Sequence, residues 1–382
     1  MTLTTPHQDA AASPDRPALQ AILDDIVASG ITGITVRVHD EHGDWTGAAG
    51  RAELGSDALP PVDGHVRIGS NTKTFTAALA LRLVEEGRLD LDAPAERYLP
   101  EIGIDPRITV RMLLQHTSGV FNFTGEFGAD GTVDAGIPST ISGKEWADRR
   151  FTGYAPEELV RLALSKPGRF EPGTDWSYSN TNYVIVRLIV ERITGRSIAE
   201  EMERAIFRPL GLRETAQPSH ETAIAEPHPH AYYRYEEDGE EVTIDVSEHD
   251  PSWISSGGDM VSTSQDLQTF ITSLVTGGLL PAELFAEMCA TTPTPIPGMA
   301  YGLGLFVQDL GEHGTVFTHN GGAAGYAALM YCTPDGGRSL TATINYVDDP
   351  ALTLAVPFQQ GSQRLVDAIF RPATAATASA TA

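Results

Sequence analysis

In Val66-Arg67-Ile68-Gly69-Ser70-Asn71-Thr72-Lys73 a short apolar run gives way to a helical pattern, in which Phe75, Leu79 and Leu83 recur at four-residue steps and Gly87 takes the stop position. Ser70 therefore opens a helix, with Lys73 one turn further along the same face. A serine hydroxyl is a poor nucleophile until a neighbouring base takes its proton, and a lysine pushed toward neutrality by burial can do so. The helix start adds backbone N–H groups for a developing oxyanion. Alone, the pair is equally well explained by a helix-capping serine and a surface lysine.

Outward from this point the pattern is of two kinds. Before it, a helix over 18–28 precedes the alternating run Ile34-Thr35-Val36-Arg37-Val38, a turn at His42-Gly43-Asp44 and a second run from Trp45, which together predict an antiparallel hairpin. After it, helices are predicted over 110–115, 157–165, 183–193, 198–207 and 264–274, most with a start or stop residue such as Pro156 or Gly195. The last third returns to strands at Thr315-Val316-Phe317-Thr318, over 326–332 and over 340–345, and a helix over 361–370 closes the chain. The predicted class is α+β: an antiparallel sheet formed from both chain ends and flanked by helices, with a mainly helical lobe inserted at about 88–250. One catalytic domain is expected over 16–372, between small, polar tails at 1–15 and 373–382.

Two further motifs carry chemistry. Tyr178-Ser179-Asn180 puts a phenol able to relay a proton and a carboxamide able to hold a substrate carbonyl on one side of a turn. His319-Asn320-Gly321-Gly322, at the end of the run 315–318, leaves a strand edge bare, so that an extended substrate can bond to it and the Gly322 N–H can face the reacting carbonyl. Taken singly, each is also explained by ordinary packing or a glycine turn.

In this order, Ser-x-x-Lys, Tyr-x-Asn and His-x-Gly resemble the serine D-Ala-D-Ala carboxypeptidases, D-aminopeptidases, esterases and class C β-lactamases. The likeness includes the connecting stretches Gly87-Arg88-Leu89-Asp90-Leu91-Asp92, Leu113-Leu114-Gln115-His116-Thr117-Ser118-Gly119, Gly257-Gly258-Asp259-Met260-Val261-Ser262-Thr263 and Tyr301-Gly302-Leu303-Gly304-Leu305, and runs from about residue 18 to 370. It implies a β-lactamase/transpeptidase-like fold, Ser70 as nucleophile, Lys73 as base, Tyr178 as proton relay and His319 in the third catalytic slot. It also implies Asn180, Asn320 and Gly321 against the substrate, an oxyanion hole from the amides of Ser70 and Gly322, and Trp253 as an aromatic wall of the cleft.

Two departures bear on substrate. The third motif of an efficient class C β-lactamase would be Lys-Thr-Gly, and here it is His319-Asn320-Gly321. Phe306 follows Gly302-Leu303-Gly304-Leu305, where the resembling carboxypeptidases carry an arginine for the substrate's terminal carboxylate. A phenyl ring cannot make that bidentate contact, which favours an ester, amide or thioester donor.

Composition excludes other classes. With 51 acidic against 26 basic side chains and a formal charge of -25, the surface field repels nucleic acid and anionic membranes. No stretch approaches the roughly 18 apolar residues of a membrane span, and the first residues show no basic cluster followed by an apolar run, so a cytoplasmic location is expected. Cys289 and Cys332 lack metal or redox spacing, and two free thiols are expected. His228-Pro229-His230 has no acidic partner at helical spacing and reads as exposed loop, while His116 reads as part of a structural turn. No metal or cofactor is called for, no Gly-x-Ser-x-Gly elbow occurs, and the expected partner is a small-molecule or peptidyl substrate. The oligomeric state is left open. Three functions fit: a hydrolase releasing acyl-Ser70 to water, with D-residue selectivity an option; a cytoplasmic acyltransferase or penicillin-binding-protein-type thioesterase passing the acyl group to an amine; and a non-catalytic ligand-binding homologue. Against the cyclising thioesterases, the chain ends soon after the catalytic fold.

Overall fold

The hairpin formed by β1 (Gly33–Asp40) and β2 (Gly43–Gly50) pairs through β1 with a strand from the far end of the chain, β10 (Ser339–Asn345), in the register Gly33 to Asn345 and His39 to Ser339. The computed structural model describes residues 16–127 and 132–371, so both expected tails lie outside the described residues. From β10 the sheet continues through β9 (Tyr326–Cys332), β8 (Thr315–Ala323), β7 (Phe306–Asp309), β6 (Met299–Tyr301) and β5 (Thr292–Pro293). It is antiparallel throughout, in the order β2-β1-β10-β9-β8-β7-β6-β5.

Period-two alternation sends the side chains of β9 into two different cores. Ala327, Leu329 and Tyr331 join Leu19, Leu23 and Leu365 on the face covered by α1 (Pro17–Ala28) and α10 (Ala355–Phe370). Ala328, Met330 and Cys332 pack on the opposite face with α2 (Thr72–Glu85) and α8 (Ser264–Val275). A strand buried on both faces has no polar side to show, hence the unbroken apolar run in its sequence.

Helix α2 is enclosed for the same reason. Every side chain from Thr72 to Leu81 is buried, and Phe75 stacks on Phe270 of α8 with ring centroids 3.6 Å apart. Beside it runs α6 (Asn180–Thr194), also buried from Asn180 to Val190, with α3 (Val110–Gln115), α5 (Pro156–Leu164) and α7 (Ile198–Met202) completing the helical side.

Some elements differ from expectation. The strand read as ending at Thr318 runs on to Ala323, so His319-Asn320-Gly321-Gly322 is strand and not turn, because β9 pairs it on one side through Gly321 to Ala328 and Gly322 to Ala327. The closing helix starts at Ala355 and tolerates Pro357 because the N–H groups of a first helical turn lack intrahelical acceptors. Two short helices, α4 (Lys144–Arg149) and α9 (Ala282–Met288), are too brief to show periodicity. Within the segment read as mainly helical lies a hairpin, β3 (Tyr232–Glu237) and β4 (Glu240–Asp245), turned at Asp238-Gly239 and extended by the short parallel strand β11 (Val347–Asp348). Both cysteines are free, Cys332 buried and Cys289 partly so. His228 and His230 are half-buried with rings 5.3 Å apart, His230 bonded to Asp245, and among the described residues no cluster fit to hold a metal occurs.

Candidate active site

Ser70 sits in a 3₁₀ turn, Gly69–Asn71, that leads directly into α2. The turn is tied down from inside: Asn71 Nδ2 donates to the carbonyls of Ile68 (2.8 Å) and Ala328 (3.1 Å), and Thr72 Oγ1 donates to Gly69 O (2.8 Å). Strand β8 lies against it so closely that a Cβ at Gly321 would stand 2.1 Å from Ile68 O and 2.4 Å from Ser70 N. A Cβ at Gly69, where φ is +51°, would stand 2.4 Å from Gly322 N. Glycine at both positions is what lets the backbones carrying the amides of Ser70 and Gly322 meet.

Lys73 Nζ lies 3.2 Å from Ser70 Oγ, 2.7 Å from Asn180 Oδ1 and 2.6 Å from Gly257 O. The last two are carbonyl oxygens and can only accept. They take two amine protons, which leaves the lone pair of a neutral Lys73 for the serine hydroxyl. Burial lowers the Lys73 pKa well below the ordinary lysine value, partly opposed by the charge of Asp259. Asn180, at the start of α6, is steadied by its Nδ2 donating to Thr124 Oγ1 at 3.2 Å.

Tyr178 shares the cavity wall with Ser70, its phenol within interaction range of the serine and its ring 4.6 Å from Lys73 Nζ. Loss of water around the phenol raises its pKa above the usual value, with the nearby Ser70 hydroxyl opposing, so it is a neutral hydroxyl at ordinary pH. The two groups flanking Ser70 are thus driven apart, the amine toward its basic form and the phenol toward its acidic one. Beneath Tyr178 lies His116, its Nδ1 accepting from Ser179 N (3.2 Å) and Asn182 Nδ2 (3.1 Å), which fits the structural role read for it.

His319 is buried on β8. Its Nδ1 donates to Asn320 O at 2.9 Å, so Nε2 is the acceptor facing Tyr301 Oη at 3.3 Å. Burial lowers its pKa to about 3. Where a Lys-Thr-Gly motif would present a cation, this strand presents a neutral ring. Asn320 Nδ2 donates to Tyr331 Oη at 2.6 Å, while its Oδ1 has no hydrogen-bond partner.

These residues open onto a cavity of about 570 Å³ that contains Ser70, Tyr178, His319 and Gly322 in its wall. Phe306 is also there, its ring edge-on to Tyr301 and His319 at centroid distances of 4.5 and 5.4 Å. Trp253 is not: it is buried against Trp146 and His249, as an ordinary core tryptophan would be. Reading by motif missed the Gly257 carbonyl, Thr124 and Tyr301, which act through backbone or as supports, and Trp176 and Tyr346, which line the cavity. Only the position of Trp176, two residues before Tyr178, offered a clue.

The sequence profile described as Beta-lactamase matches residues 19–356. A D-stereospecific amidohydrolase from Streptomyces sp. is 36% identical and superposes with a TM-score of 0.77 over 90% of this chain and 99% of that one. The D-amino acid amidase of Ochrobactrum anthropi SV3, solved with D-phenylalanine, is 25% identical with a TM-score of 0.74, over 91% and 98%. Esterase EstB of Burkholderia gladioli is 34% identical over 54% of this chain and 52% of its own length. Penicillin-binding protein 4* of Bacillus subtilis is 25% identical over 80% and 66%. The chain thus spans about half to two thirds of these two curated relatives.

Proposed function

Because the chain belongs to the serine β-lactamase-like hydrolase family, we propose that it cleaves an amide or ester bond through an acyl intermediate on Ser70, with Lys73 as the base. The observation that carries this reading is the hydrogen-bond set of Lys73, whose two carbonyl acceptors leave its lone pair for Ser70. As the Ser70 Oγ bond to the carbonyl carbon forms, the hydroxyl proton passes to Lys73 and the carbonyl oxygen becomes an oxyanion between the amides of Ser70 and Gly322. Collapse breaks the bond to the leaving amine or alcohol, which takes a proton relayed through Tyr178. Water then adds to the ester, gives its proton to the same relay, and frees the acid and Ser70. Similarity to a D-stereospecific amidohydrolase and a D-amino acid amidase supports an acyl part of D configuration.

Intact-mass measurement after mixing with activated D- and L-aminoacyl esters tests this. A mass increase equal to the acyl group is expected, absent in Ser70→Ala, and Lys73→Ala and Tyr178→Phe should slow its formation about 10²–10⁴-fold. Adducts that persist in Ser70→Ala would place the nucleophile elsewhere. Added amine, if it diverts product from acid to amide, would make the protein an acyltransferase.

A further inference from the structure

The active-site cavity also contains a carboxylate that the acyl-transfer steps do not use. Asp348, in β11, is buried to 7% exposure yet contributes to the wall of the same cavity as Ser70. Its neighbour Asp349 is neutralised by Arg234 at 2.8 Å. No ion pair neutralises Asp348: its carboxylate accepts from the backbone N–H of Asp349, at 2.9 Å, and is near enough to the N–H of Gly325 to be steadied by it. Among the described residues no Lys or Arg lines the cavity, and His319 is neutral. An uncompensated carboxyl in such a place is held at a cost, which a cationic ligand would offset.

Its position relative to the nucleophile follows from β8. Gly322, whose amide is assigned to the oxyanion hole, lies three residues before Gly325, whose N–H is beside Asp348. Ala324 and Gly325 form the turn between β8 and β9, both with positive φ, so the two amides are closer than the roughly 10 Å that three extended residues would span. Tyr346 Oη lies 3.7 Å from the position of a Cβ on Gly322, and Leu354 and Phe358 add apolar surface to the same cavity wall. A substrate reaching from the oxyanion hole to Asp348 would carry a short apolar spacer, no longer than that span, between the scissile carbonyl and a cationic end.

We infer that Asp348 is an ammonium-binding subsite, so that the protein selects donors carrying a primary amine on a short apolar spacer. This rests on the acyl-serine reading above, which it sharpens to a substrate class. Burial and the adjacent charge of Asp349 raise the Asp348 pKa to about 7 in the empty site, and a bound cation would hold it ionised.

Two matched pairs of Nα-acetylated, D-configured donors test the inference: acetyl-lysine (acetylated at Nα only) against acetyl-norleucine p-nitroanilide, for an amine on the acyl side, and acetyl-norleucine N-(6-aminohexyl) amide against the N-hexyl amide, for an amine on the leaving side. At least one cationic member should have a kcat/KM about tenfold or more above its neutral partner, and that ratio should fall toward one in Asp348→Asn. Ratios near or below one in both pairs, or a ratio unchanged in Asp348→Asn, overturn the subsite while leaving Ser70 acylation standing. Calorimetric titration of the native protein with hexylammonium and with hexanol needs neither turnover nor a variant. Ammonium should bind the more tightly, and equal or weaker binding overturns the inference. Failure of all four donors to acylate Ser70, with hexylammonium still bound, would instead remove the acyl-serine reading.

Discussion

At the scale of single residues, this site is a set of ionisable groups whose charge is withheld. Lys73 is pressed toward the neutral amine, Tyr178 toward the neutral phenol, and His319 down to about 3. Acylation should therefore rise with pH as Lys73 loses its proton, since only the form above that pKa has a lone pair, and His319 should contribute no step. A pH–rate profile of native protein against His319→Gln checks this: a step between pH 6 and 7 that disappears in the variant would give His319 the base's role. Phe306 acts by what it cannot do. An edge-packed phenyl ring offers no partner to a carboxylate, and desolvating an unpaired carboxylate is strongly disfavoured. An acyl-D-Ala-D-Ala amide should accordingly be cleaved faster than the free acid, and Phe306→Arg should narrow or reverse the order. A free acid cleaved much faster by native protein would mean that another cation holds it.

At the scale of elements, the site depends on how closely β8 meets the turn before α2. The Gly321 position leaves 2.1 Å to Ile68 O where a Cβ would stand, so Gly321→Ala must push the strand and the Ser70 turn apart. Misplacing one oxyanion donor costs about 10²–10³-fold in rate. Gly321→Ala should lose at least that in acylation while a far-ultraviolet spectrum still reports the folded sheet. Acylation within tenfold of native would show that the two segments need not touch. The same closeness explains what motif reading could and could not see here. The glycines were legible as a bare strand edge, but the strand was expected to end at Thr318, because two adjacent glycines carry no strand propensity and only pairing with β9 extends it to Ala323.

At the scale of the molecule, the formal charge of -25 creates a field that draws cations and repels anions toward every opening, this cavity included. Because the Debye length falls from about 30 Å at 0.01 M salt to about 3 Å at 1 M, kcat/KM for a lysyl donor should fall with added salt while that for the norleucyl donor stays level. Equal salt response by the two donors would show that the field does not steer substrate. Among the described residues no helix is long and apolar enough to cross a membrane.

Sequence alone determined the fold class and the three motif groups. Strand alternation at both ends, helical spacing after Ser70 and the order of the motifs are local properties, readable wherever side-chain periodicity matches burial. The neighbours of those motifs were decided only by folding. The Gly257 carbonyl that shares Lys73 with Asn180 is backbone and has no signature, since any residue supplies a C=O. Trp253, read as a cleft wall, packs against Trp146 instead, because a tryptophan's size fits core and cleft equally and only its neighbours choose. Asp348 carried no sequence signal at all. A carboxylate becomes notable when burial strips its water and no cation answers it, and both conditions come from chain segments far apart in sequence closing over one another.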